Sequence, residues 1–189
     1  MPQARPKEAE TVISTTAYLM GTSRLETVMT YWMADTTERY EMNGSLGALN
    51  LKALNPILEP SASVSIENGQ LQNMTFEFVA NERLSRGKMR MRYQDLQVTI
   101  LQAKELETSP NKPKRMITAL ANGLVVRSNN PKRRFFRVGR IRYELDRSKG
   151  FVGHWTQAIL SGAKSSVGME DEDEKDKSQG LRFLRKSSP

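Results

Sequence analysis

The segment GKMRMRYQDLQVTIL, Gly87 to Leu101, constrains this chain more than any other. Met89, Met91 and Tyr93 alternate with Arg90, Arg92 and Gln94, and then Leu96, Val98 and Ile100 alternate with Gln97 and Thr99. Period two is the pattern of a half-buried strand. The apolar phase is odd before Asp95 and even after it. With no turn residue at the junction, the shift predicts a β-bulge near Gln94–Asp95 that keeps one face apolar throughout. Extended, such a segment spans roughly 50 Å, against a usual strand of five or six residues. The chain must therefore supply something to cover a long apolar face.

Other segments repeat the pattern. Strand-like alternation runs from Thr11 to Met20, from Leu25 to Met33 and, more weakly, from Tyr40 to Leu49. Ala62, Val64 and Ile66 lead to Asn68–Gly69, and Met74, Phe76, Phe78 and Ala80 follow. Asn-Gly between alternating runs predicts a hairpin turn. LKALNPILEP, Leu51 to Pro60, interrupts the pattern with two prolines around Leu54, Ile57 and Leu58, and reads as a loop with a short helical turn. Lys104 to Lys114 reads as a polar linker, Arg115 to Asn122 as a short helix stopped by Gly123, and Leu124–Val126 as a brief strand. Arg133 to Asp146 alternates through Phe135, Gly139, Ile141, Tyr143 and Leu145. Phe151, Trp155, Ala158, Ile159, Gly162 and Ala163 recur at three- and four-residue spacing, which predicts an amphipathic helix over about 149–167.

These elements define a mainly β fold: an antiparallel twisted sheet or half-barrel, groove-like, closed off by a C-terminal amphipathic helix. The organisation expected is a disordered lead over 1–9, one β-rich domain over 10–168, and a disordered charged tail over 169–189 that contains EDEDEKDK. With 189 residues the chain can bury a core without disulfides or metals.

Composition narrows the chemistry. There is no cysteine and one histidine, which argues against thiol catalysis, cysteine metal sites and most triads. His154 has no recognisable nucleophile or acid near it in sequence and reads as a partly exposed helix histidine. Glu77, Glu82, Asp95, Glu144 and Asp146 match no metal spacing. No enzyme activity and no cofactor are expected. The formal charge of +8 favours phosphate-rich partners, either nucleic acid or anionic lipid headgroups. PKRRFFRVGRIRYELDR, Pro131 to Arg147, is the best nucleic-acid candidate, with bases interleaved with aromatics. A half-buried strand in any basic protein has the same look, so nucleic acid is the weaker expectation. The start, MPQARPKEAE, lacks the apolar core of a secretory signal, and no run approaches the length of a spanning helix. The chain thus reads as cytoplasmic or as a piece of something longer.

The methionines are adaptable core filler on the simplest reading, but a Met-, Phe- and Leu-rich face also suits acyl chains. The helix is ambiguous in the same way. Phe151, Trp155 and Ile159 with Lys149 and Lys164 suit a membrane interface or a plug across a sheet end.

Three segments taken together resemble a known family. They are SLGALNLKALNPILEPSASVSIENGQLQNMTFEF; GKMRMRYQDLQVTIL; and GLVVRSNNP followed by RVGRIRYELDRSKGFVGHWTQAILSGAKSSVG. Over about residues 40–168 this order resembles the C-terminal region of the AsmA-like envelope proteins of Gram-negative bacteria, of the Bacteroidetes type. The resemblance implies an open groove with an apolar interior, and a role in lipid transport between membranes and in outer-membrane homeostasis and biogenesis. It implies location in the periplasm, at the cell envelope, within a longer membrane-anchored protein of which this chain is a C-terminal fragment or an incomplete gene model. The face expected to hold phospholipid acyl chains is Met74, Phe76, Phe78, Met89, Met91, Tyr93, Leu96, Val98 and Ile100. Arg90, Arg92, Arg137, Arg140 and Arg142 are expected to meet headgroups or a membrane surface, with envelope proteins as further partners. The alternatives are a structural end-cap without lipid and a nucleic-acid-binding sheet.

Overall fold

The computed structural model describes residues 10–33, 39–101, 116–118, 126–146, 148 and 150–169. The expected lead, the Lys104–Lys114 linker, Leu124 and the acidic tail from Glu170 lie outside the described residues.

The protein is mainly β: an open, antiparallel sheet with two short helices, one of them C-terminal. Strands β1 (Glu10–Leu19), β2 (Ser23–Trp32), β3 (Tyr40–Leu46), β5 (Val64–Ala80) and β6 (Leu84–Leu101) form a meander in that order. The two-residue β4 (Leu49–Asn50) pairs with β5, while β7 (Met116–Thr118) and β8 (Val138–Glu144) pair with the two ends of β6. A 3₁₀ turn (Leu51–Leu54) leads into helix α1 (Asn55–Ala62), and helix α2 (Phe151–Val167) ends the described chain.

The phase shift in β6 is a bulge. Gln97 faces Asn68 and Gln94 faces Gln70, so β6 spends one more residue than β5 over this interval. Asp95 takes up the excess with φ of 55°. Met89, Met91, Tyr93 and Leu96 consequently all lie buried on one face.

The Asn68–Gly69 hairpin does not form. β5 runs unbroken through it, with irregular register on both sides. Gly69 has φ of 152°, and a Cβ there would lie 3.1 Å from Leu96 Cδ1 and 3.2 Å from Leu51 Cδ1. The glycine thus serves a kink that brings two leucines close, where the local signal predicts a reversal. The reversal comes instead at Asn81, whose Oδ1 accepts from the backbone N–H groups of Arg83 (2.9 Å) and Leu84 (3.0 Å).

Two further expectations are corrected. Met116–Thr118 is strand, not helix, because the end of β6 at Thr99–Leu101 offers it a pairing edge. The strand expected from Arg133 begins at Val138, and Phe135 stands 77 % exposed in the turn before it.

Inner-face residues line up in rows across the strands. Leu25, Leu46, Met74 and Met91 form one row, and Tyr40, Ala80, Ser85 and Tyr143 another. Helix α2 packs on the β8 end of this face. Its backbone comes so close that a Cβ on Gly139 would overlap Ser166 Oγ and the Gly162 carbonyl oxygen. At the same contact, Ser165 Oγ accepts from Arg140 N–H (3.0 Å) and Ser161 Oγ from Arg142 N–H (3.1 Å). The outer edge of β8 is thereby satisfied by side chains. At the other end, β1 and much of β2 extend beyond the helix, and Val12, Ile13 and Tyr18 are exposed.

Between β7 and β8, the segment around Asn130 covers the remaining edge of β6. Asn130 exchanges two backbone hydrogen bonds with Tyr93 (2.9 and 3.0 Å), and Leu96 N–H donates to the Ser128 carbonyl (2.8 Å). The Asn130 amide is fully buried. It donates to the Met91 and Arg137 carbonyls and accepts from Arg137 N–H, each at 2.8 Å.

Candidate functional site

The inner face is covered at its β8 end and left open in the middle. An apolar groove of about 330 Å³ lies there, between α2 on one side and the 3₁₀ turn with α1 on the other. Its floor is Leu46 from β3; Ile66, Leu71, Met74 and Phe76 from β5; and Met91, Leu96 and Val98 from β6. Leu51, Leu54, Ile57 and Leu58 form one wall, and Trp155, Ile159, Leu160, Ala163 and Val167 form the other. Leu19 and Leu25 close the end toward the β1–β2 ribbon.

Each wall has a local cause. In α2 the groove-facing residues recur at three and four positions, while His154, Ala158, Gly162, Ser165 and Ser166 form a second, buried face against the sheet. Small side chains on that second face let the helix lie flat on β8, so the bulky stripe turns toward the groove. The α1 wall is fixed by Asn55. Its Oδ1 accepts from Ile66 N–H (2.8 Å) and its Nδ2 donates to the Ile66 carbonyl (3.0 Å) and Ser65 Oγ (3.2 Å). Pro56 follows at the helix start, where its missing N–H leaves no bond unmade.

The groove is nearly devoid of polar side chains. Among the described residues of its lining, Lys164 is the one that is charged and Thr156 the one hydroxyl. Such a surface can hold hydrocarbon through dispersion and burial, and has few directional contacts to offer a polar substrate.

The residues expected on the acyl-chain face divide into two sets. Met74, Phe76, Met91, Leu96 and Val98 line the groove. Phe78, Met89 and Tyr93 are fully buried beneath other elements, and Ile100 is half-buried at the β7 end. Phe78 stacks on Phe76 and meets Tyr40 edge-on, with centroids 6.3 Å apart in both pairs. Burial pushes the Tyr40 hydroxyl up to about 12. The Tyr93 hydroxyl is likewise pushed up to about 12 by burial, with Arg127 and Arg137 acting in the opposite direction. On α2, Trp155 and Ile159 line the groove, whereas Phe151 is exposed and packs on Tyr40 at 5.5 Å.

The expected headgroup arginines lie away from the groove. Arg90 and Arg92 are on the opposite face of β6, both 5.7 Å from the Phe136 ring. Arg140 and Arg142 are outward on β8, and Arg86 pairs directly with Arg142, Lys88 with Arg140. Arg86 and Arg142 opposite one another raise the local positive potential, while Lys88 is paired with Glu77 at 2.6 Å. Arg137 Nε instead donates to the Ser165 carbonyl at 2.7 Å, which ties β8 to α2.

His154 is not the partly exposed residue expected. It is 3 % exposed, and its Nε2 lies 2.8 Å from Ser85 Oγ, itself fully buried. The Tyr143 ring packs against it at 5.3 Å. The Nδ1 atom has no partner among the described residues, so no acid orients the imidazole. Ser85 has no exposed surface at which a substrate would be attacked. The pair is a buried latch between α2 and β6. No set of three or more metal-ligating side chains occurs among the described residues, and no described helix is long and apolar enough to cross a membrane.

Of the residues named from the sequence, Met74, Phe76, Met91, Leu96, Val98, Trp155 and Ile159 line the groove. The α1 wall was visible as the apolar cluster Leu54, Ile57 and Leu58 in a loop with a short helical turn, but nothing in the sequence placed that turn across the sheet. The roles of Asn130 and Ser85 carried no sequence signal, since both depend on partners far along the chain. Comparison of the chain with family models, with curated proteins and with solved structures gave no match.

Proposed function

We propose that this protein is a non-enzymatic cell-envelope module that holds acyl chains on its sheet. The groove carries this reading: an apolar channel of about 330 Å³ that the terminal helix borders without filling. A structural end-cap would have the helix cover the whole apolar face. Here α2 takes one end, and a second wall stands across the open floor. The order of segments resembling the C-terminal region of AsmA-like envelope proteins supports the same reading, and with it a place in the periplasm within a longer, membrane-anchored lipid-transfer protein. On the opposite face, the ladder of Arg86, Arg90, Arg92, Arg140 and Arg142 would rest against an anionic membrane surface while the groove faces away from it.

The full chain purified from a bacterial host, extracted and measured by mass spectrometry, tests this. Stoichiometric acyl lipid is the expected result. A monomeric, lipid-free protein that also takes up none from vesicles would refute it. The basic face also suits a nucleic-acid partner, favoured by the exposed Phe135 beside Arg133 and Arg134. A steeply salt-dependent affinity for single-stranded oligonucleotides would favour that second reading.

A further inference from the structure

Within the reading that the groove holds hydrocarbon, one residue specifies more. Among the described residues, Lys164 is the single charge in a lining that is otherwise apolar apart from Thr156. It sits on the line Thr156, Leu160, Lys164 along the groove side of α2, with Ala163 and Val167 beside it. No carboxylate among the described residues pairs with it. A lysine so placed lays its aliphatic stem on the apolar wall and presents its ammonium at the rim. From Lys164 back to Trp155 the helix runs on the order of 13 Å beside the floor. The cavity volume lies at the lower end of the roughly 300–1,000 Å³ of ligand sites, enough for one slender chain and small for two.

We propose that the groove takes a single-chain anionic amphiphile, its hydrocarbon along Trp155, Ile159 and the β5–β6 floor and its carboxylate or phosphate paired with Lys164. Fatty acids and lysophospholipids share this chemistry. The arginine ladder, on the other face of the sheet, takes no part in holding the bound molecule.

The test is displacement of a neutral fluorescent probe, N-phenylnaphthylamine, from the full chain. The competitors are palmitate, palmitoyl lysophosphatidic acid, hexadecanol and dipalmitoyl phosphatidylglycerol, each kept below its aggregation threshold. The expected result is that at least one anion displaces the probe at roughly tenfold lower concentration than hexadecanol, and which anion does so identifies the source. Lys164→Gln is expected to bring the anions to the level of the alcohol and leave the alcohol unchanged. Equal potency of anion and alcohol, or an unaffected Lys164→Gln variant, would overturn the Lys164 assignment while the groove stands. Stronger displacement by the two-chain lipid than by either single-chain anion would overturn the single-chain assignment. No displacement by any competitor would remove the acyl-groove reading itself. An unchanged far-ultraviolet dichroism spectrum certifies the variant, whose mutated side chain is only half-buried.

Discussion

Ser85 and His154, far apart in the chain, share a hydrogen bond of 2.8 Å in the interior of the protein, and through it helix α2 is latched to strand β6. The imidazole has no acid partner among the described residues, and burial pushes its pKa below the ordinary histidine value. Groups facing it are the Ser85 hydroxyl from β6 and the Tyr143 ring from β8. With the folded pKa depressed, the unfolded chain takes up a proton first. The contribution to stability is intact above the unfolded value of about 6.5 and declines as pH falls below it, toward the lower folded pKa. The melting temperature is expected to drop between pH 7.5 and pH 5, and to drop less in His154→Gln. Parallel profiles for the two proteins would show that His154 does not carry the effect.

Gly139 and Gly150 make a matched pair. A side chain at Gly139 meets the backbone and Ser166 of α2, whereas one at Gly150 meets nothing within 4 Å. Gly139→Ala should cost about 1–3 kcal/mol as overpacking forces the helix outward. Gly150→Ala meets no neighbour and should cost less in urea unfolding, about 0.5–1 kcal/mol from the poorer N-cap it gives α2. Equal midpoints for the two variants would mean that α2 does not lie on β8 as described.

Asn130→Ala removes two donors and one acceptor from a fully buried site. The carbonyls of Met91 and Arg137 are then left without these partners. Each unsatisfied buried group costs about 1–3 kcal/mol, so the loss should be among the largest of any single polar substitution in the protein. Asn130→Asp should be no better, because it presents a carboxylate to the same two carbonyl oxygens. Guanidinium denaturation of the three proteins checks both statements.

Leu58 and Ile159 face each other's side of the groove and are only partly buried. Leu58→Glu and Ile159→Glu should therefore leave the β-type dichroism spectrum intact and reduce the acyl lipid that accompanies the purified protein to a trace. Phe76→Glu is a poor substitute, since Phe76 is 3 % exposed and its replacement would unfold the sheet. Undiminished lipid in a folded Leu58→Glu, Ile159→Glu double variant would place the lipid elsewhere.

The elements that the chain announces locally are those that formed as expected. The phase shift at Asp95 exposed the bulge because alternation counts residues, and a bulge is a miscount. The stripe in α2 was equally plain, since its spacing is set by one helix alone. Asn68–Gly69 misled because the dipeptide specifies only permissive backbone. Whether that freedom makes a turn or a kink was decided by Leu51 and Leu96, which converge on Gly69 from elsewhere in the chain. Met116–Thr118 was misread for a related reason, as its conformation is imposed by the free end of β6. Of the candidate site, the floor was legible as one face of two strands. Which of its residues would stay open to a ligand was not, because that depends on where α2 comes to rest. Met89 and Met91 are neighbours in the same alternation, yet Met89 lies under the helix at Gly162 and Met91 in the groove.

The serines that seal β8 give the sheet a direction. Ser161 and Ser165 occupy main-chain donors that a further strand would need, and α2 lies across the approach. Among the described residues the far margin has no such stop. β1 is a straight run of ten residues with one acid, no proline and no bulge, exposed along nearly its whole length. β1 thus offers backbone pairing a longer free edge than β8 does, along Thr11 to Leu19. Among the described residues the sheet is like a tongue-and-groove board planed smooth at β8 and left unplaned at β1.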